Sequence, residues 1–200
     1  MKANIKKLVL LMIITLIATF MVAATVTADP PGNRSIRGVY AATGSGTCLV
    51  APLGFTNFVP NGGLYMTMTF TMEGVFTFYR GGTGHIERPH VPVVVINSSL
   101  GVPFPSAGDS KDSSDFTYEL EPDGSITLTQ VPGSHSGEFT DGPLDGYTYQ
   151  NENRNWWGKV SPDGKTIVLN SGLPDIITSP PPSVEGLVCN GSAVLTWQHN

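Results

Sequence analysis

Between residues 64 and 72 the chain alternates without a break. Leu64, Met66, Met68, Phe70 and Met72 occupy one parity, and Tyr65, Thr67, Thr69 and Thr71 the other. Successive side chains of a strand point to opposite faces, whereas a helix returns to one face every three or four residues. The alternation therefore predicts a half-buried strand with a methionine-rich inner face. Glu73-Gly74 reads as a tight turn into a second strand over residues 75–79, so the pair is expected as a β-hairpin.

Two further hairpins share one turn chemistry. Residues 116–120 meet 125–129 across Glu121-Pro-Asp-Gly124, and residues 157–160 meet 165–169 across Ser161-Pro-Asp-Gly164. Proline presets φ, Asp accepts local backbone bonds and Gly takes positive φ, so each tetrapeptide can reverse the chain. The strands around the two turns differ, which favours recurrent hairpins over propeller repeats. Other strand candidates are residues 36–43, 91–97, 146–150, and 186–197 with an interruption at Gly191. Residues 98–114 and the proline-rich 171–185 read as loops, the second an extended polyproline connection. No amphipathic helix stands out, and 23 Gly with 16 Pro oppose one. The expected fold is all-β: an antiparallel β-barrel of about eight to ten strands, with a β-sandwich as the alternative.

The N-terminus carries Lys2, Lys6 and Lys7, then an uncharged run over residues 8–24, then Val26 and Ala28 before Asp29-Pro30-Pro31. This is the pattern of a secretory signal peptide over residues 1–28. It predicts a secreted or periplasmic soluble domain over residues 29–200, without a stable membrane anchor after cleavage. That domain holds 8 Lys+Arg against 16 Asp+Glu, a net charge of −8, which excludes the basic patches nucleic-acid binding needs. Its two cysteines, Cys48 and Cys189, form an even count in an oxidising compartment and predict one disulfide rather than a metal or redox pair.

The Gly38-Val39-Tyr40 first strand, the run of hairpins and the terminal cysteines together resemble a small secreted calycin or lipocalin-like barrel. An allene-oxide-cyclase-like barrel is similar in the same way. The resemblance is one of rhythm and implies a barrel. Tyr40 stands where lipocalins usually carry Trp, and no active-site residue transfers by position.

His85-Ile-Glu87-Arg-Pro-His90 is the one concentration of catalytic residue types. On a strand, His85 and Glu87 share a face about 7 Å apart, which suits an acid–base couple; a polar strand edge is the plainer reading. Asp109, Asp112 and Asp115 read as a solvated loop rather than a calcium site. Gly44-Ser-Gly46 and Gly81-Gly-Thr-Gly84 read as flexible loops. No metal and no cofactor are expected. Trp156-Trp157 places its rings on opposite faces of a strand, so one could stack on a sugar.

Three functions follow. The preferred one is binding of an apolar small molecule without chemistry, through Met66, Met68, Phe70, Trp156 and Trp157. The others are a small-barrel isomerase or hydrolase using His85 and Glu87, and a carbohydrate or protein interaction module using Trp156 and Trp157.

Overall fold

The computed structural model describes residues 36–101, 105–150, 154–171, 175–177 and 186–198. The leader, the start of domain 29–200 and the Ser-Pro-Pro-Pro-Ser run lie outside the described residues. In chain order the strands are β1 (Gly38–Ala51), β2 (Phe55–Thr56), β3 (Val59–Pro60), β4 (Met66–Phe78), β5 (Thr83–His90), β6 (Val93–Ser98) and β7 (Ser106–Leu120). There follow β8 (Ser125–Gln130), β9 (Ser136–Asp141), β10 (Thr148–Tyr149), β11 (Asn155–Val160), β12 (Thr166–Ser171), β13 (Asp175–Ile177) and β14 (Gly186–Trp197). Eight of them close an antiparallel ring, β7-β5-β4-β1-β14-β12-β11-β8, in which β8 returns to β7. Closure removes most of the free sheet edge, and the barrel is the fold.

The expected alternation over β4 is present, and the strand does not stop where a turn was expected. Met66, Met68, Met72, Phe76 and Phe78 are buried along one continuous 13-residue strand. Gly74 stays extended inside it, at a bulge between Glu73 and Val75. A Cβ there would lie 2.6 Å from the Glu87 carbonyl oxygen and 2.7 Å from Arg88 Cγ. Glycine therefore serves close approach of the neighbouring strand rather than chain reversal. Below the bulge β4 pairs with β6, and above it with β5.

Two other expectations are corrected by the same closure. Gly44 and Gly46 are not a loop: they lie within the 14-residue β1, where added Cβ atoms would meet Met72 Cε and Phe70 Cζ within 2.6 Å. Gly191 does not interrupt β14 but faces Gly46 in register. Both prolyl-aspartyl-glycyl turns form as expected, with φ +80° at Gly124 and +70° at Gly164.

The largest correction is β7. Residues 106–114 are strand, not loop, and the buried parity reads Ser110, Asp112, Ser114, Phe116, Tyr118 and Leu120. The inward set is polar over half the strand, so a hydrophobic period-two signal cannot reveal it.

That division splits the barrel interior. One half is filled by aromatic rings: Phe78 packs edge-on against Tyr40, Phe116 and Tyr118 at 5.1 to 5.2 Å. The Tyr40 hydroxyl donates to the Gly164 carbonyl at 2.7 Å, so its polar end is satisfied there. The other half is lined by β4 methionines and the polar part of β7, and it is not filled.

Cys48 and Cys189 form the expected disulfide, opposite one another on β1 and β14 with Cα atoms 4.1 Å apart. Both are buried and face the unfilled half.

Candidate functional site

β7 pairs with β8 over residues 116–120 and with β9 over residues 109–113. Where it changes partner, the hairpin of β9 and β10 overhangs the barrel. Beneath it lies a cavity of about 160 Å³, partly open to solvent. Met66, Met68 and Phe70 of β4, Val93 of β6 and the Cys48–Cys189 disulfide form its apolar wall. Phe139, Leu144 and Tyr149 close it from the hairpin side.

The polar part of the wall is built around one ion pair. Arg88 on β5 and Asp112 on β7 are register partners facing inward. The Arg88 Nε donates to Asp112 Oδ1 at 2.5 Å, and Nη1 donates to Met72 Sδ at 3.4 Å. The Tyr149 hydroxyl lies 3.2 Å from Asp112 Oδ2 and 3.3 Å from Ser110 Oγ. His135, its ring tilted against Tyr149 at 5.5 Å, places its Nε2 3.9 Å from Asp112 Oδ2. A second guanidinium, Arg154, lines the cavity and sits 5.1 Å over the Trp156 ring.

Burial pushes the Asp112 carboxyl upward, but Arg88 and His135 outweigh that and hold it down at about 2. Burial raises the Tyr149 hydroxyl, and the Asp112 charge raises it further. At neutral pH the cluster is thus a carboxylate, a guanidinium and a neutral phenol. It supplies fixed hydrogen-bond donors at one end of an otherwise apolar space.

The residues singled out from sequence separate into two groups. Met66, Met68 and Phe70 line the cavity. Trp156 is buried under Arg154 behind the wall, and Trp157 is 55% exposed on the outer face. His85 and Glu87 share a face, as the spacing requires, but it is the outer one. There His85 Nδ1 meets Asp115 Oδ1 at 2.7 Å and His90 Nδ1 meets Asp109 Oδ2 at 3.1 Å. The three evenly spaced carboxylates are therefore strand residues: Asp112 is buried in the ion pair, and its two outer neighbours face histidines. No group of three or more metal-ligating side chains occurs among the described residues.

Arg88 and Tyr149 escape the sequence reading. Arg88 left one signal: it shares strand parity with Ile86 and opposes that of His85 and Glu87. Comparison with known families and with curated proteins finds no match for the chain.

Proposed function

We propose that the protein is a binding module, which holds a small apolar molecule in the barrel cavity without altering it. The observation that carries this reading is an apolar space of about 160 Å³ beside a buried ion pair. Unfilled volume costs stability, because its lining loses contacts, so a folded chain keeps it only against that penalty. The adaptable Met66 and Met68 suit a replaceable occupant. A cavity of about 150 Å³ admits a benzene-sized molecule, whereas drug-sized ligands need about 300 Å³ or more. The ligand is accordingly ring-sized or a short chain. Likeness to calycin, lipocalin-like or allene-oxide-cyclase-like barrels rests on the ring of strands alone, and the leader pattern of residues 1–28 together with the Cys48–Cys189 disulfide supports a module that works in an oxidising compartment outside the cytoplasm.

The test is titration of the exported, oxidised protein with toluene, followed by ligand-observed NMR. Saturable binding that is lost in Val93→Phe, which fills the wall, is the expected result. Binding of neither toluene nor acetophenone to the native protein would end the reading. The His85→Ala, Glu87→Ala double variant should still bind; turnover of a substrate that disappears in it would support the enzyme reading instead.

One observation favours a second reading. Thr127, Trp157, Asn170, Ser192, Ser45 and Thr71 lie in register across six strands of the outer face. A row of hydroxyls and an amide with one exposed indole suits a neutral glycan, stacked on Trp157 rather than Trp156. Retention on immobilised polysaccharide, lost in Trp157→Ala, would support it.

A further inference from the structure

The polar end of the cavity says more about the ligand than its volume does, provided that the cavity is the binding site. Arg88 is 3% exposed and lines the cavity, so the little surface it keeps faces that space. A guanidinium carries five N–H donors. One, on Nε, is spent on Asp112 and one, on Nη1, on the weak acceptor Met72 Sδ. Nη2 makes no hydrogen bond among the described residues. Asp112, by contrast, is occupied: Oδ1 receives Arg88 and Oδ2 receives the Tyr149 hydroxyl. The wall thus offers a donor beside a carboxylate that is already engaged through both oxygens.

A donor that faces the cavity without a protein partner costs stability once it is dried, and an acceptor arriving with the ligand removes that cost. Water can supply that acceptor, but an apolar molecule entering the cavity displaces it. A pure hydrocarbon would leave Arg88 dry and unpaired, whereas a molecule with one oxygen at its polar end would not. The opposite charges of Arg88 and Asp112 largely cancel, and Arg154 adds a second guanidinium to the lining, so the oxygen can belong to a neutral or to an anionic head. We infer that the ligand is a small apolar molecule bearing a carbonyl-type oxygen, which accepts from Arg88 while its hydrocarbon part lies against Met66, Met68 and Phe70.

Three probes of similar size separate the alternatives on the exported, oxidised protein: ethylbenzene, acetophenone and benzoate. Acetophenone should bind about tenfold more tightly than ethylbenzene, the lower end expected for a hydrogen bond to a charged donor. The carbonyl stretch of bound acetophenone should move to lower wavenumber. Tighter binding of benzoate would assign the oxygen to a carboxylate and also support the inference. In Arg88→Met, Asp112→Leu, which replaces the ion pair by apolar groups, the preference for acetophenone over ethylbenzene should fall to about one. If that variant does not fold, the wild-type ratio and the carbonyl shift decide alone. Equal affinity for ethylbenzene and acetophenone would overturn the inference yet leave the apolar cavity as a binding site. Failure of all three probes would overturn both.

Discussion

Arg88 and Asp112 face one another across β5 and β7, both inside the barrel, with Nε and Oδ1 2.5 Å apart. Both side chains of the pair are buried, and Gly74 makes its room: a Cβ there would strike Arg88 Cγ at 2.7 Å. It ties the strand that was hardest to see in the sequence to the strand carrying the candidate histidines.

Breaking the pair on one side should cost far more than removing it. Arg88→Met leaves Asp112 buried and uncompensated, at a cost of about 3–5 kcal/mol. Adding Asp112→Leu should restore much of that loss, since well-packed apolar replacements of buried pairs are often neutral. Urea unfolding of both variants is the check. A double variant as unstable as the single would show that the pair itself holds the fold.

The same pair sets an acid limit. The Asp112 carboxyl titrates near 2 when folded, against an ordinary 3.8. A depressed carboxyl contributes stability that is complete above the unfolded value and is lost as pH falls through the folded one. Here the loss should run from about pH 5 down to about pH 2 and amount to about 2 kcal/mol. Unfolding free energies measured across that window should flatten in Arg88→Met, Asp112→Leu. An unchanged slope would assign acid lability to other carboxyls.

On β4, Met68 is buried in the cavity wall and Thr69 lies on the outer face. Met68→Asp should therefore lose several kcal/mol, and Thr69→Asp little. Thermal unfolding compares them directly. Equal losses would mean that the strand faces are misassigned.

The Cys48–Cys189 bond closes a separation of 141 residues. Unfolded, unreduced protein should titrate no free thiol. The Cys48→Ala, Cys189→Ala variant should lose about 2–5 kcal/mol, the range for native disulfides. Two reactive thiols in the oxidised protein would refute the bond.

Much of the barrel was legible because its causes are local. Alternation marks sidedness wherever the inner face is apolar, as over β4. The two prolyl-aspartyl-glycyl turns reverse the chain through their own backbone preferences, so those hairpins appeared at the expected residues. The disulfide partners followed from there being only two cysteines.

What escaped depends on residues distant in the chain. Glu73-Gly74 permits a turn or an extended bulge with equal local ease, and only the approach of Arg88 from β5 selects the bulge. Ser110, Asp112 and Ser114 read as loop chemistry because their burial is tolerable only against partners on other strands: Arg88 lies 24 residues from Asp112, and Tyr149 37. The sequence by itself determined the apolar-faced strands, the two Pro-Asp-Gly hairpins and the covalent link, through periodicity and backbone preference. Ring closure decided the polar half of the interior, because a buried charge or hydroxyl acquires its inward direction only when the sheet brings its partner to it.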